Sequence, residues 1–158
     1  MKPDDYWTLI EPVWDTISIY EGGETFLAQY QASPEVSRVL FAAYWCQSEI
    51  RNGGFGQFFF NSTGVLAPEA AAAFRTLGMT RTGDLLVRAM ETFKGPYPRD
   101  RDTRHRIMNE FAQANPDAPE PFEVMDAVFF DLLDTEAGGF EAAADRYAAE
   151  WRRNAALR

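Results

Sequence analysis

The sequence is poor in the residues that build metal and disulfide sites. It contains one cysteine and one histidine among 158 residues. A single cysteine excludes an internal disulfide and any site that needs several thiolates. A single histidine excludes the two-histidine HExxH pattern of zinc proteases. No metal and no cofactor are therefore expected.

The chain also lacks long uncharged apolar runs and an excess of basic residues. No segment approaches 18 consecutive apolar residues, so no membrane span is expected. The stretch Met1-Lys2-Pro3-Asp4-Asp5 lacks the basic-then-apolar order of a secretion signal, which favours a cytoplasmic location. With 24 Asp+Glu against 15 Lys+Arg, the net charge is −9 at pH 7. This charge repels phosphates, so direct nucleic-acid binding is disfavoured and a basic protein is the expected partner.

Apolar residues recur at helical spacing along most of the chain. Hydrophobic residues make up 46% and aromatic residues 15% of the sequence, which suffices for a core at this length. Convincing period-2 alternation is absent. The pattern predicts an all-α, single compact domain over residues 1–158, with about seven or eight helices around a buried central helix. The predicted helices cover residues 4–20, 24–31, 34–52, 68–77, 83–93, 100–113, 122–135 and 140–156, with a helical turn at 55–60.

A polar cluster follows the predicted central helix. Glu49, Asn52, Gln57 and Asn61 stand among aromatic residues and glycines, and Glu49 lies on the helix face that also carries Cys46. Two interpretations stay open. The amides and the carboxylate can form a hydrogen-bonded knot that closes the helix end. Alternatively they can form a ligand or acid–base site, because burial raises the pKa of a carboxyl group. We favour the knot, since no nucleophile with a base lies nearby in the sequence.

This segment resembles the signature of a bacterial family of unknown function that includes a dimeric DNA mimic. The matching residues are Glu49, Asn52, Gly53, Gly54, Phe55, Gln57, Phe58, Phe59, Asn61 and Gly64. The resemblance implies a helical fold over most of the chain and a homodimer. From that member it also implies a surface that occupies the DNA-binding face of a transcription factor. The motif glycines and amides are interpreted as architecture.

Acidic residues are concentrated in one part of the chain. Asp117 to Asp145 contains nine carboxylates and no base. Helical residues three or four apart lie about 5–6 Å apart, so helical carboxylates can form closely spaced rows. The predicted acidic partner surface comprises Asp4, Glu11, Asp15, Asp117, Glu120, Glu123, Asp126, Asp131, Asp134, Glu136, Glu141 and Asp145. The alternative interpretation is a solvated face that only keeps the protein soluble.

Two further patterns are interpreted as structural. Residues 99–106 interleave four arginines with two aspartates, which predicts a solvent-exposed, salt-bridged helix start. Trp7 and Trp14 border the apolar stripe of the first predicted helix, which favours packing over an exposed anchor. Cys46 is interpreted as a core residue.

Three hypotheses about function follow. The leading one is a non-enzymatic acidic interaction protein, a DNA mimic for the basic surface of a DNA-binding regulator. The second is a small-molecule-binding domain or enzyme with its site at Glu49, Asn52, Gln57 and Asn61. The third is a structural domain with a solubilising acidic face. Mimicry requires one continuous acidic surface, whereas a ligand site requires an open pocket at Glu49.

Overall fold

The fold is organised around its longest helix, which carries the family-like motif. A computed structural model describes residues 2–158. The helices are α1 (Trp7–Ile10), α2 (Gly23–Ala32), α3 (Glu35–Phe60), α4 (Ala67–Thr76), α5 (Thr80–Met90), α6 (Arg101–Ala114), α7 (Glu123–Thr135) and α8 (Phe140–Ala156), with several short 3-10 turns between them. No strand occurs in residues 2–158, so the all-α prediction is confirmed. None of these helices combines the length and apolarity needed to cross a bilayer.

The middle of α3 is the centre of the core, as predicted. Phe41, Ala42, Ala43 and Cys46 are all 0% exposed. Helices α1, α4, α6, α7 and α8 all pack against α3. A helix that is apolar all round is stable only when other elements cover it on every side, which accounts for this arrangement.

The predicted helix over residues 4–20 is wrong. Only Trp7–Ile10 is α-helical, a 3-10 turn covers Glu11–Val13, and residues 14–22 are irregular. Pro12 has no N–H to donate, and its ring disfavours continuation of the α-helix. The backbone of Ser18 instead donates to Oε1 of Gln29 in α2, at 2.7 Å. Ile10, Val13 and Ile17 are nevertheless buried. The apolar pattern therefore identified core residues correctly, although the backbone there is not an α-helix.

The end of the central helix also differs from the prediction. Residues 34–52 and the turn at 55–60 form one element, α3, which bends at Gly53 and Gly54 rather than stopping there. Gly54 has φ 77° and ψ 179°, a conformation open only to glycine. The other predicted helices are confirmed to within a few residues, and residues 140–156 match α8.

Candidate functional site

The bend in α3 brings the polar motif residues together. Oε2 of Glu49 accepts hydrogen bonds from Nε2 of Gln57 at 3.1 Å and from Nδ2 of Asn61 at 3.2 Å. Eight residues of straight helix would separate Glu49 and Gln57 by about 12 Å. The contact therefore depends on the bend. Asn52 borders the same group but makes no side-chain hydrogen bond within residues 2–158.

Gly53 allows this closure. Its Cα faces the Gln57 amide so closely that a Cβ at position 53 would overlap the amide oxygen. The glycine and the glutamine are therefore a matched pair. The backbone bends at the glycine, and the glutamine folds back over it to reach Glu49.

The knot is not sealed from solvent. Glu49, Gln57 and Asn61 are half-buried, and together with Ser48, Arg51 and Asn52 they line an open cleft of about 550 Å³. All six of these residues have polar or charged side chains. Arg51 extends from this cleft to Asp134 of α7, with its Nη2 at 3.1 Å from Oδ1.

We expect Glu49→Ala to lower the free energy of unfolding by about 1–3 kcal/mol, because it leaves the Gln57 and Asn61 amides without their acceptor. Chemical denaturation followed by circular dichroism measures this loss. Ser48→Ala, one residue away in the same cleft but outside the knot, is the control and should change little. Full stability in Glu49→Ala would contradict the structural role of the knot and favour the alternative that these residues form a ligand site.

Asp126 of α7 supports the bend from the other side. Its Oδ1 accepts a hydrogen bond from the backbone N–H of Phe55 at 2.8 Å. Its carboxylate also fills the space where a Cβ on Gly54 would stand. The N–H of Phe55 belongs to the first turn after the bend, where helix N–H groups lack internal partners. Asp126 thus caps the second half of α3.

Arg104 holds the C-terminal end of α3. Its side chain is 0% exposed, and its guanidinium donates to the carbonyls of Phe59 (2.8 Å), Asn61 (3.0 Å), Pro98 (3.2 Å) and Arg99 (2.7 Å). No carboxylate within residues 2–158 forms an ion pair with it. Burial lowers the pKa of Arg104, while Tyr97 and Asp100 favour its charged form.

This position of Arg104 corrects the prediction of an exposed, salt-bridged helix start at residues 99–106. Positive charge is favourable at the carbonyl end of a helix, and Arg101 and His105 also contact the Phe60 carbonyl there. Gly64 lies against the guanidinium, and a Cβ at position 64 would be 2.9 Å from Nε of Arg104. The last glycine of the motif therefore admits the arginine.

The aromatic residues of the motif belong to the core. Phe55, Phe58 and Phe59 are each 0% exposed. Phe55 packs edge-on against Phe129 of α7, with ring centroids 5.1 Å apart. Cys46 is also fully buried, and burial raises the pKa of its thiol well above the ordinary value, so it is unsuited to nucleophilic chemistry.

Four carboxylates of the acidic run cap helices elsewhere in the fold. Besides Asp126, Oε2 of Glu120 accepts from the N–H of Phe122 just before α7 (3.0 Å). Glu136 accepts from the N–H groups of Arg81 (2.9 Å) and Thr82 (2.8 Å) at the start of α5. Asp145 accepts from the N–H of Tyr6 before α1 (2.9 Å). Residue spacing could not reveal these caps, because three of the four acceptors lie between 54 and 139 positions from their donors.

The other carboxylates of the run remain on the surface. Asp117, Glu123, Asp131 and Glu141 are exposed and make no side-chain hydrogen bond or ion pair within residues 2–158. Asp134 is exposed and is neutralised in part by Arg51. From Glu123 to Asp134, α7 extends over about 17 Å at 1.5 Å per residue, which corresponds to about five base pairs of DNA.

The two acidic parts of the chain meet at Tyr6. Asp145 binds the N–H of Tyr6, and a cleft of about 590 Å³ is lined by Tyr6, Asp134 and Glu141 among others. Asp4, Glu11 and Asp15 are exposed, but they do not form a row on one helix, because α1 spans only four residues. Trp7 and Trp14 are half-buried, with Trp14 stacked on Trp45 at 4.9 Å.

Carboxylates are crowded at the start of α7. Burial raises the pKa of Glu120, and the charges of Asp126 and Glu123 raise it further. Burial also raises the pKa of Asp126, with a further contribution from Glu123. No group of three His, Cys, Asp or Glu side chains in residues 2–158 is arranged to hold a metal ion.

This crowding gives a pH dependence with a definite sign. A carboxyl pKa that is raised by folding makes ionisation unfavourable in the native state, so its effect is to lower stability as the pH rises through that pKa. Asp126→Asn keeps an acceptor for the Phe55 N–H and removes the charge. We expect the variant to melt above the wild type at pH 7, with a difference that shrinks as the pH falls below the raised pKa and has largely gone below about pH 4. A constant difference from pH 3 to 7 would contradict this.

Comparison of the sequence with known protein families gives a match. The family model described as DMP19-like protein matches residues 31–153, which include all of α3 to α7 and most of α8. No curated protein and no solved structure gives a significant match. The matched region contains the Glu49 knot, the Asp126 cap and the Arg104 clamp. The chain therefore belongs to the DMP19-like protein family.

Proposed function

We propose that this protein is a non-enzymatic acidic interaction protein that mimics DNA toward the basic surface of a DNA-binding regulator. The carrying observation is the exposed face of α7. Glu123 and Asp131 flank the exposed apolar residues Val124 (77% exposed) and Val128 (42%), and no base occurs between Asp117 and Asp145. Membership of the DMP19-like family is compatible with this role.

Electrostatics supports a basic partner in particular. Like charges held close together cost stability, and the charges of Asp126 and Glu123 add to the effect of burial in raising the pKa of Glu120. A basic groove would relieve the repulsion and would speed association. The exposed valines between the carboxylates supply apolar contact area, which most interfaces place near their centre.

The test compares two triple variants of equal net charge. One carries Asp117→Asn, Glu123→Gln and Asp131→Asn. The control carries Glu21→Gln, Glu24→Gln and Glu91→Gln, three exposed acids outside the acidic run. Each protein is used as bait in cell extract at low and high salt, and the captured regulator is then measured by surface plasmon resonance.

We expect the first variant to lose about tenfold or more in association rate and to show a weaker salt dependence, because rim charges act on association. The control variant should keep the association rate and the salt dependence of the wild type. The operator DNA of the regulator should compete with this protein, and the protein alone should not bind duplex DNA. If the regulator bound its operator DNA and this protein at the same time, each at undiminished affinity, mimicry would be excluded. The acidic face would then be a solubilising surface, or it would bind the regulator at a site other than its DNA-binding surface.

The Glu49 cleft carries a second candidate function, a small-molecule site. It is favoured by one observation, namely that the knot lines an open polar cleft rather than a sealed core. Arg51 and Asn52 are exposed there and could meet a polar ligand. The Glu49→Ala measurement described above separates this candidate from a purely structural knot.

A homodimer is also part of the proposal. Apolar side chains are also exposed outside the acidic face, at the end of α8: Trp151 (42%) and Leu157 (86%). A dimer contact there would leave the acidic face of α7 free for the regulator. Sedimentation velocity at micromolar concentration should show a dimer, and Trp151→Asp should shift it to the monomer. A monomer at all concentrations would reject the dimer.

A further inference from the structure

A second recess is separate from the Glu49 cleft and shares no lining residue with it. It is formed by α6, the segment 115–122 and the turn before residue 94. Its walls are mainly apolar, with Phe93, Met108, Phe111 and Phe122 among them, and its volume is about 320 Å³. That volume falls within the range of small-molecule sites.

The rim of the recess is rich in proline. Three prolines, at positions 116, 119 and 121, line it within six residues. Proline fixes its own φ and restricts the residue before it, so a rim of this composition loses little conformational entropy when a ligand enters.

One charged side chain faces the recess. Glu120 is the only ionisable residue in its lining. Oε2 of Glu120 accepts from the N–H of Phe122, and Oε1 lies close to Gly56 of α3. No Lys, Arg or His side chain within residues 2–158 forms an ion pair with this carboxylate. The nearby charges that act on this carboxylate are Asp126 and Glu123, both of the same sign. The mouth of an apolar recess therefore carries an unneutralised negative charge.

We propose that this recess binds a small amine with an aromatic or branched aliphatic body, with the ammonium group at Glu120. The body would fill the space between Phe93, Phe111 and Phe122, where burial of apolar surface drives binding. The ammonium would donate to the Glu120 carboxylate as a charge-assisted hydrogen bond. Anions of the same shape are repelled, and neutral analogues lose the charged contact.

The test uses three probes with the same indole body: tryptamine, tryptophol and indole-3-propionate. Binding to ¹⁵N-labelled protein is followed by NMR titration. We expect saturable shifts of residues in the recess with tryptamine, about fivefold weaker binding of tryptophol, and still weaker binding of indole-3-propionate, because an exposed ion pair contributes about that much. Ethanolamine, an amine without an apolar body, should not saturate the site.

Two variants assign the preference to one residue. In Glu120→Gln, which keeps an acceptor for Phe122, tryptamine should bind no better than tryptophol. Glu123→Gln removes an adjacent charge that does not line the recess, so most of the preference should persist. Ala112→Trp, at an exposed lining position, should block all three probes.

An amine preference that survives Glu120→Gln would overturn the proposal, as would shifts that map to the Glu49 cleft or the absence of saturation at millimolar tryptamine. If Ala112→Trp does not fold, the comparison of Glu120→Gln with Glu123→Gln still decides. Neither result depends on whether the acidic face mimics DNA.

Discussion

Arg104→Met is expected to lower the free energy of unfolding by about 3–5 kcal/mol, because four backbone carbonyls lose a charged hydrogen-bond donor at once. Methionine fills most of the arginine volume but donates no hydrogen bond. The buried carbonyl of Phe59 and the partly buried carbonyls of Asn61, Pro98 and Arg99 would then lose their present donor. The carbonyl end of α3 would also lose the positive charge that faces it. Urea denaturation followed by circular dichroism gives the value.

Arg106→Met is the matched control. Arg106 lies on the same helix, but its side chain is 61% exposed and its ion pair is with Glu110, one turn away at 3.3 Å. An exposed pair at this spacing contributes little, so the loss should stay within about 0.5 kcal/mol. Equal losses in the two variants would show that the burial of Arg104 does not support the end of α3.

Gly54→Ala should cost about 2–4 kcal/mol, for two reasons that act together. The φ of 77° and ψ of 179° are accessible only to glycine, so an alanine there strains the backbone. The added methyl group would also overlap the Asp126 carboxylate and disturb its bond to Phe55. We expect weaker binding of Gln57 and Asn61 to Glu49 as a consequence, visible as shifted side-chain amide signals in NMR spectra.

Gly78→Ala separates the two reasons. Gly78 also has a positive φ, 81°, but no atom lies within 4 Å of the Cβ that would be added. In Gly78→Ala only backbone strain is added, and it should lower the free energy of unfolding by about 1 kcal/mol. The difference between the two glycine variants measures the close approach of Asp126. If both variants lost the same stability, Asp126 would not be essential for the bend.

Sequence patterns predicted the parts of the fold that depend on local composition. The all-apolar stretch from Phe41 to Cys46 predicts a buried central helix because any exposed face would be costly. Residues 138 and 139 are both glycine, and α8 begins directly after them as predicted. The helix predicted over residues 4–20 was wrong because the spacing of the apolar residues fits a helix, whereas Pro12 and the Ser18–Gln29 hydrogen bond determine the backbone there.

The site was predictable where its residues are close in sequence. Glu49, Gln57 and Asn61 fall within one motif, and their amide and carboxylate groups indicated a knot. Asp126 and Arg104 were assigned to surfaces because acidic runs and alternating charges are usually solvated. Their actual roles depend on which backbone groups lie against them after folding, 71 and 45 residues away.

The capping of α1 by Asp145 bears on the order in which the chain acquires structure during synthesis. The carboxylate that accepts from the N–H of Tyr6 lies 139 positions later in the chain, in α8. Arg152, also in α8, donates to the carbonyl of Asp5 at 3.0 Å. A ribosome that adds about 5–20 residues per second delivers α8 many seconds after the N-terminus has emerged. The cap on the first segment is therefore completed last, although that segment is made first. Trp7 and Trp14 pack on Tyr44 and Trp45 of α3, which emerges earlier. Tyr6, in contrast, gains its edge-on contact with Phe140 only when α8 has been made.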